Sequence, residues 1–218
     1  MEKEEVRELF DKYGEIFARQ QEKDMNRHWL SEVIQAMMGE VKGKKILDTG
    51  CGAGFDSKIM AKKGAEVVGV DISPKMIKLA KKKCKGLDIR FYIKDMVNTG
   101  FRGESFDLVT SIITIGWNRS LKKVLKEYYR LLKKGGQLIL ADVHPIRKMV
   151  VYTGNYFETG KHWEVSNGWE RFGYYRKIED ILNTAIEVGF TLKEIREPKP
   201  KGVKHKFYPY FLVLKFEK

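Results

Sequence analysis

The run ILDTGCGAGFD, Ile46 to Asp56, is followed by a second apolar run, VVGVD, that ends at Asp71. Gly50, Gly52 and Gly54 stand at alternate positions between a short apolar stretch and a helical pattern. Glycine enters left-handed backbone conformations freely and lets ligand atoms approach main-chain amides at the start of a helix. Such a strand, turn and helix admit few folds, because the apolar run has to be buried in a sheet that the helix covers. Asp71 lies 21 residues beyond Gly50, at the end of the next apolar run, where a carboxylate can accept hydrogen bonds from a ribose diol. The two motifs together predict a nucleoside site. A dinucleotide site prefers GxGxxG, and GCGAGF places Phe55 where the third glycine would stand, so a nicotinamide site is poorly matched.

From Lys45 onward, short apolar runs alternate with helical patterns: KILDT, a helix near Asp56 to Lys63, EVVGVD, a helix from Pro74 to Cys84, IRFYIKD, FDLVTSII, a helix from Leu121 to Leu132, and QLILAD. That rhythm predicts an α/β fold with a parallel sheet covered on both faces. Ser73 is placed to cap the helix that Pro74 enters, and Gly135-Gly136 to terminate the one ending near Lys134. Val6, Leu9, Phe10, Tyr13, Ile16 and Phe17, then Leu30, Val33, Ile34 and Met37, predict two amphipathic helices ahead of the first strand. After the fifth strand the rhythm stops, and eight aromatics between Tyr152 and Tyr175 follow no clear period. A helix from Lys177 to Val188 and two strand-like runs, TLKEIRE and FYPYFLVLKF, complete the pattern, with Pro209 excluding a regular central strand across its position. We therefore read 218 residues as a single domain: a helical extension over 1–40, a cofactor-binding core over 41–145, an aromatic-rich insertion or lid over 146–176, and a final helix with the last two strands over 177–218.

Composition narrows the classes. No stretch approaches a membrane-spanning apolar run and the N-terminus is charged from its first residues, so neither a span nor a leader is expected and the cytoplasm is the expected location. Cys51 and Cys84 show no metal or redox spacing, and His28, His144, His162 and His205 show none either, so no metal is expected. The net charge of +13 leaves a nucleic-acid partner open. Its densest clusters are Lys75 to Lys85 and Lys199 to Lys206, whereas the residues before Met25 carry eight carboxylates against five cations.

LDTGCGAG resembles the first motif of the class I S-adenosylmethionine-dependent methyltransferases, in particular the small-molecule branch that includes ubiquinone and menaquinone biosynthesis enzymes. The resemblance is strong from Ile46 to Asp142 and weaker beyond. It implies that the stretch of Asp48, Gly50, Cys51, Gly52 and Gly54 embraces the amino-acid and ribose parts of S-adenosyl-L-methionine, or of its product S-adenosyl-L-homocysteine. VVGVDIS is similar to the second motif, which puts Asp71 on the ribose and Ile72 beside the adenine; IKDM is similar to the next, with Asp95 at the adenine amino group and Met96 flanking the ring. FDLVTSI, which carries Ser111 as a further cofactor contact, resembles the strand leading to the methyl-transfer region, and LKEYYRLLKKGGQLILAD the helix, turn and fifth strand of this branch. Thr49 departs from many relatives. The implied fold is a Rossmann-like three-layer sandwich, with a seven-stranded, mostly parallel sheet whose antiparallel last strand inserts between strands five and six.

The acceptor side is less determined. His144 follows the fifth strand, either as a catalytic residue that accepts a proton or orients an acceptor, or as loop packing. Trp117 and Asn118 emerge from the fourth strand toward the expected acceptor, and Tyr13 sits on a helical stripe that serves either a lid or a core. Phe157, His162, Trp163 and Trp169 are the insertion's candidates for covering a small, partly apolar acceptor. The expected activity is transfer of a methyl group to a small molecule by direct in-line displacement. The alternatives are a methyltransferase acting on tRNA, rRNA or protein, and a non-catalytic nucleotide or S-adenosylmethionine binding protein. The Asn/Asp-Pro-Pro-Tyr signature of DNA amino-methyltransferases is absent, since the corresponding region reads SIITIGWN.

Overall fold

Adjacent residues of each central strand are apolar, and period two sends them to opposite faces, so the sheet has to be covered on both sides. A computed structural model, describing residues 2–166, 169–198 and 207–218, shows how. In chain order the elements are α1 (Glu2–Lys23), α2 (Met25–Met38), β1 (Lys45–Thr49), α3 (Phe55–Lys62), β2 (Glu66–Asp71), α4 (Pro74–Lys83), β3 (Ile89–Ile93), β4 (Phe106–Ile112), α5 (Leu121–Leu131) and β5 (Leu132–Val143). Then come α6 (Pro145–Lys148), β6 (Gly160–Ser166), β7 (Trp169–Tyr175), α7 (Ile178–Val188), β8 (Thr191–Arg196) and β9 (Phe211–Glu217).

Among the described residues, seven strands form one sheet in the order β3-β2-β1-β4-β5-β9-β8. β1, β2, β3, β4 and β5 pair in parallel, and β9 runs antiparallel between β5 and β8. The strand order thus matches the expected insertion of the last strand, and β9 begins only after Pro209. Leu47, Val68, Val109, Leu138 and Leu214 pack on one face beneath α5 and α7. Their chain neighbours Ile46, Val67, Leu108, Ile139 and Val213 pack on the other with Leu30, Ile34 and Met37 of α2. Truncating one such leucine or isoleucine to alanine costs about 2–5 kcal/mol. Among the described residues no helix is long and apolar enough to cross a membrane.

The structure departs from the sequence pattern at two places. α5 ends at Leu131, short of the Gly135-Gly136 stop, because Leu132 is already extended and fully buried opposite Phe106. Pairing then jumps to Gln137 opposite Leu108, and the glycine pair lies in the irregularity between, with Gly135 at φ +73°. The insertion, for its part, contains an antiparallel hairpin, β6 with β7. Its faces mix aromatic and charged residues, Lys161 with Trp163 on one and His162 with Glu164 on the other, so no apolar alternation announced it. Cross-strand pairs, Trp163 against Phe172 and Glu164 against Arg171, hold it instead.

Lys75 and Lys83, two lysines of the denser basic cluster, lie against Glu15 and Glu22 of α1. The second cluster, with His205, lies outside the described residues.

Candidate functional site

The carboxyl ends of β1, β2 and β4 open into a cavity of about 330 Å³, closed over by α1. Its floor is the glycine turn. Gly50 has φ +61°, and a Cβ there would lie 2.2 Å from the Thr114 side chain, so both the backbone angle and the space exclude any larger residue. The Cys51 amide donates to the Val70 carbonyl at 3.0 Å, which ties the turn to β2. Asp71 completes the tie: one carboxylate oxygen accepts from the Gly52 amide and the other from the Ser73 amide, each at 2.9 Å. Burial pushes the Asp71 carboxyl up to about 6, against the pull of these amides.

Below the turn, Asp48 is buried and accepts from the hydroxyls of Thr110 and Ser57. Burial first, and the neighbouring Asp56 second, push its carboxyl up to about 7. Asp56 is itself bound by Ser31 and by the guanidinium of Arg27. Toward the other end lie Ile72, Asp95 and Met96, with Asp95 accepting from the Val97 amide and facing Lys3 of α1 at 3.2 Å.

The far wall is aromatic. Trp117 ends a single tight helical turn, Ile115–Trp117, and meets Phe10 of α1 and Phe172 of β7 edge-on at 5.0 and 6.1 Å between ring centroids. Arg176 fixes this turn by donating to the carbonyls of Ile115 and Asn118. The hairpin therefore reaches the cavity through Phe172, packed on Trp117.

Of the sequence candidates, the structure gathers Asp48, Gly50, Cys51, Gly52 and Asp71 with Ile72, Asp95, Met96, Trp117 and Asn118 around this cavity. Gly54 stands behind it, where a Cβ would lie 2.8 Å from the Cys84 sulfur, so its role in the fold is close packing of α4 and β3. Ser111, expected as a cofactor contact, lies outside the lining and accepts from the buried Tyr128 hydroxyl of α5. His144 is fully buried outside the lining, with Nε2 against Glu197 and Nδ1 accepting from the Ile146 amide as the cap of α6. Tyr13 is half-buried on α1, where Phe10 and Phe17 of the same stripe line the cavity. His162 stacks on Tyr175, while Phe157 and Trp163 are exposed and outside the lining. The Trp169 side chain lies outside the described residues.

Sequence reasoning missed Arg27 and Asp56. The signal was present for the first: Arg27, Leu30, Ser31 and Ile34 share one helical face, so a cation stands on a buried stripe.

The strand order, with β9 antiparallel between β5 and β8, and the glycine turn below the ends of β1 and β2 define the class I S-adenosylmethionine-dependent methyltransferase fold. A family model described as a methyltransferase domain matches residues 47–140. Demethylmenaquinone methyltransferase of Tropheryma whipplei (strain Twist) is 28% identical over 147 residues, covering 66% of this chain and 61% of the relative, so the chain spans about three fifths of that protein's length. The structure of magnesium protoporphyrin IX methyltransferase from Synechocystis PCC 6803 with bound SAH superimposes with a TM-score of 0.75 at 21% identity over 100% of both chains. An S-adenosylmethionine-dependent methyltransferase from Mesorhizobium loti gives 0.71 at 21% identity, over 86% of this chain and 96% of its own.

Proposed function

We propose that this protein is an S-adenosylmethionine-dependent methyltransferase acting on a small-molecule acceptor. The observation that carries this reading is one cavity joining the glycine turn and Asp71 to the aromatic wall of Phe10 and Trp117. The residues present fit the cofactor. Asp71 keeps acceptor capacity on both oxygens for a ribose diol, the amides of the glycine turn approach without side chains, and Ile72 and Met96 provide apolar flanks for an adenine, with Asp95 beside them. Bound there, S-adenosylmethionine supplies a methyl group on a positively charged sulfonium.

The chain's task is then positioning. In-line transfer needs the accepting atom held at about 3–3.5 Å from the methyl carbon and water kept out. Phe10 and Trp117 supply an apolar wall for that purpose, and Arg176 locks the turn that presents Trp117. No covalent enzyme nucleophile is needed. The RNA reading draws on the net charge of +13, of which Lys75 and Lys83 already face acidic residues of α1.

The test is incubation with methyl-labelled S-adenosylmethionine and, in parallel, a metabolite extract and total cellular RNA. Label in a metabolite whose formation varies little with salt is the expected result. Label confined to RNA and falling steeply as salt rises, as counterion release demands, would replace the small-molecule reading. Binding without any label would leave the non-catalytic alternative.

A further inference from the structure

A second cleft, of about 500 Å³, opens beside the first cavity, between the base of the β6–β7 hairpin and the start of α7. Among the described residues of its wall, three cations, Arg119, Lys161 and Arg176, face one carboxylate, Asp180. Arg119 also lines the first cavity, so the two voids adjoin at this exposed side chain. Arg176 fixes the junction. Besides the carbonyls of Ile115 and Asn118, its guanidinium donates to that of Tyr174 at 3.4 Å and that of Arg119 at 3.3 Å. One guanidinium thus clamps the segment that presents Trp117 to the first cavity and Arg119 to both. Carbonyl oxygens are neutral, so these bonds set the cation in place without cancelling its charge. Asp180 is turned to its own helix, accepting from the Lys177 amide at 3.2 Å and lying 3.8 Å from Lys177 Nζ, while Lys161 is met by both oxygens of Glu5 at 2.9 Å. Lys94 and Lys123 add further positive charge to the first cavity. The sulfonium of S-adenosylmethionine is itself a cation, so positive charge at this junction does not favour it. An anion satisfies the charge.

We propose that the methyl acceptor is a small anion whose carboxylate or phosphate group sits in the second cleft against Arg119 and Arg176, with its accepting atom in the first cavity against Trp117. The inference rests on the small-molecule reading above and narrows it to acidic acceptors. Trp117 and Arg119 are two residues apart, at most about 7 Å between Cα atoms, so an acid with one ring or a short chain spans both voids. The accepting atom's lone pair forms the new bond to the methyl carbon as the carbon–sulfur bond breaks and its electrons return to sulfur, and any proton on that atom is released. The anionic group takes no part in this exchange, and the product keeps its negative charge. A single such group adds only a shallow dependence on salt, unlike the many phosphates of RNA.

The experiment supplies methyl-labelled S-adenosylmethionine and a metabolite extract freed of macromolecules by ultrafiltration, then passes the products over a strong anion exchanger at pH 7.5. The label is expected on the exchanger. Phosphatase treatment of the extract beforehand abolishes the retained label if the group is a phosphate and spares it if it is a carboxylate, and both results support the proposal. Label that moves to the flow-through at an undiminished rate overturns it. Arg119→Lys, Arg119→Gln and Arg119→Glu are then compared over a dilution series of the acidic fraction of the extract. The apparent KM is expected to rise in that order, by about fivefold in R119Q, the upper end for an exposed ion pair, with kcat changing less and S-adenosylhomocysteine affinity, by calorimetry, level across the series. A structural role would not follow the sign of the side-chain charge. Labelled product that passes through the exchanger from untreated extract, or a KM that does not follow the charge, overturns this inference and leaves methyl transfer to a small molecule standing. Parallel loss of S-adenosylhomocysteine affinity makes Arg119 a cofactor contact and also overturns it. Absence of any labelled metabolite overturns the small-molecule reading itself, and this inference with it.

Discussion

At the scale of single residues, the site is set by carboxylates held where water has little access. Asp71 is 9% exposed, and its two backbone hydrogen bonds aim it while burial raises its carboxyl to about 6. In the proposed reading a ribose diol donates to the ionised form, so protonation of Asp71 is expected to weaken binding. Asp71→Asn keeps the shape and removes the charge, and a hydrogen bond to a charged group is worth about 1.5–3 kcal/mol. S-adenosylhomocysteine affinity is expected to fall about tenfold or more in D71N, measured by calorimetry at pH 7.5. 5′-Methylthioadenosine lacks the amino-acid arm, so its affinity for the wild type is expected to decline as pH falls through about 6, and for D71N to stay level. Unchanged nucleoside affinity in D71N removes the residue from the site. The other determinant at this scale is space: Gly50 is required both by its φ of +61° and by the Thr114 side chain above it, so Gly50→Ala meets two penalties at once.

Among the elements, α1 has the most to do with access. It contributes Val6, Phe10 and Phe17 to the cavity, and it is fastened at several points along its length. Asp11 accepts from the Ser73 hydroxyl and the Lys75 amide at the start of α4, Lys3 faces Asp95, and Glu5 binds Lys161 of the hairpin. The exposed pairs contribute little each, whereas Asp11 joins the helix directly to the turn that follows Asp71. Asp11→Ala removes both of these hydrogen bonds and is expected to speed amide hydrogen exchange in α1 by about tenfold or more, with the amides of β1 and β4 unchanged. Uniform acceleration across the sheet would mean that Asp11 supports the whole fold. The hairpin makes a separate prediction through Phe172, which packs against Trp117. Phe172→Ala should impair acceptor use, read as a raised KM for the labelled metabolite, more than it impairs S-adenosylhomocysteine binding; equal impairment of both would place Phe172 in the common core.

For the whole molecule, the same buried charges make stability depend on pH. In the native chain Asp48 keeps its proton up to about pH 7, while the unfolded carboxyl titrates near its ordinary 3.8. Between those values the native state holds the proton and the unfolded state releases it. Rising pH therefore favours unfolding: this contribution is fully present below about pH 4 and lost as pH passes through about 7. Asp71 acts in the same direction up to about pH 6. Thermal unfolding of the ligand-free protein should show a Tm that declines between pH 4.5 and 7.5 more steeply in the wild type than in Asp48→Asn. Matching slopes would show that Asp48 is ionised throughout in the native state.

The sequence by itself determined the alternation of strand and helix, the glycine turn, and Asp71 at the end of the second strand. These are local matters, since period two or a left-handed turn is written in consecutive residues. The strand order, expected through resemblance, depends on chain-distant pairing such as β9 beside β5. Only the tertiary structure decided where α5 stops, because the burial of Leu132 against Phe106 outweighed the helical continuation. Only it showed the hairpin, whose stability lies in cross-strand pairs between residues of mixed polarity. It alone brought Arg27, 29 residues before Asp56 in the chain, against that carboxylate and into the cavity. Packing draws charges together without regard to sequence distance, and a low-dielectric interior turns that meeting into a site.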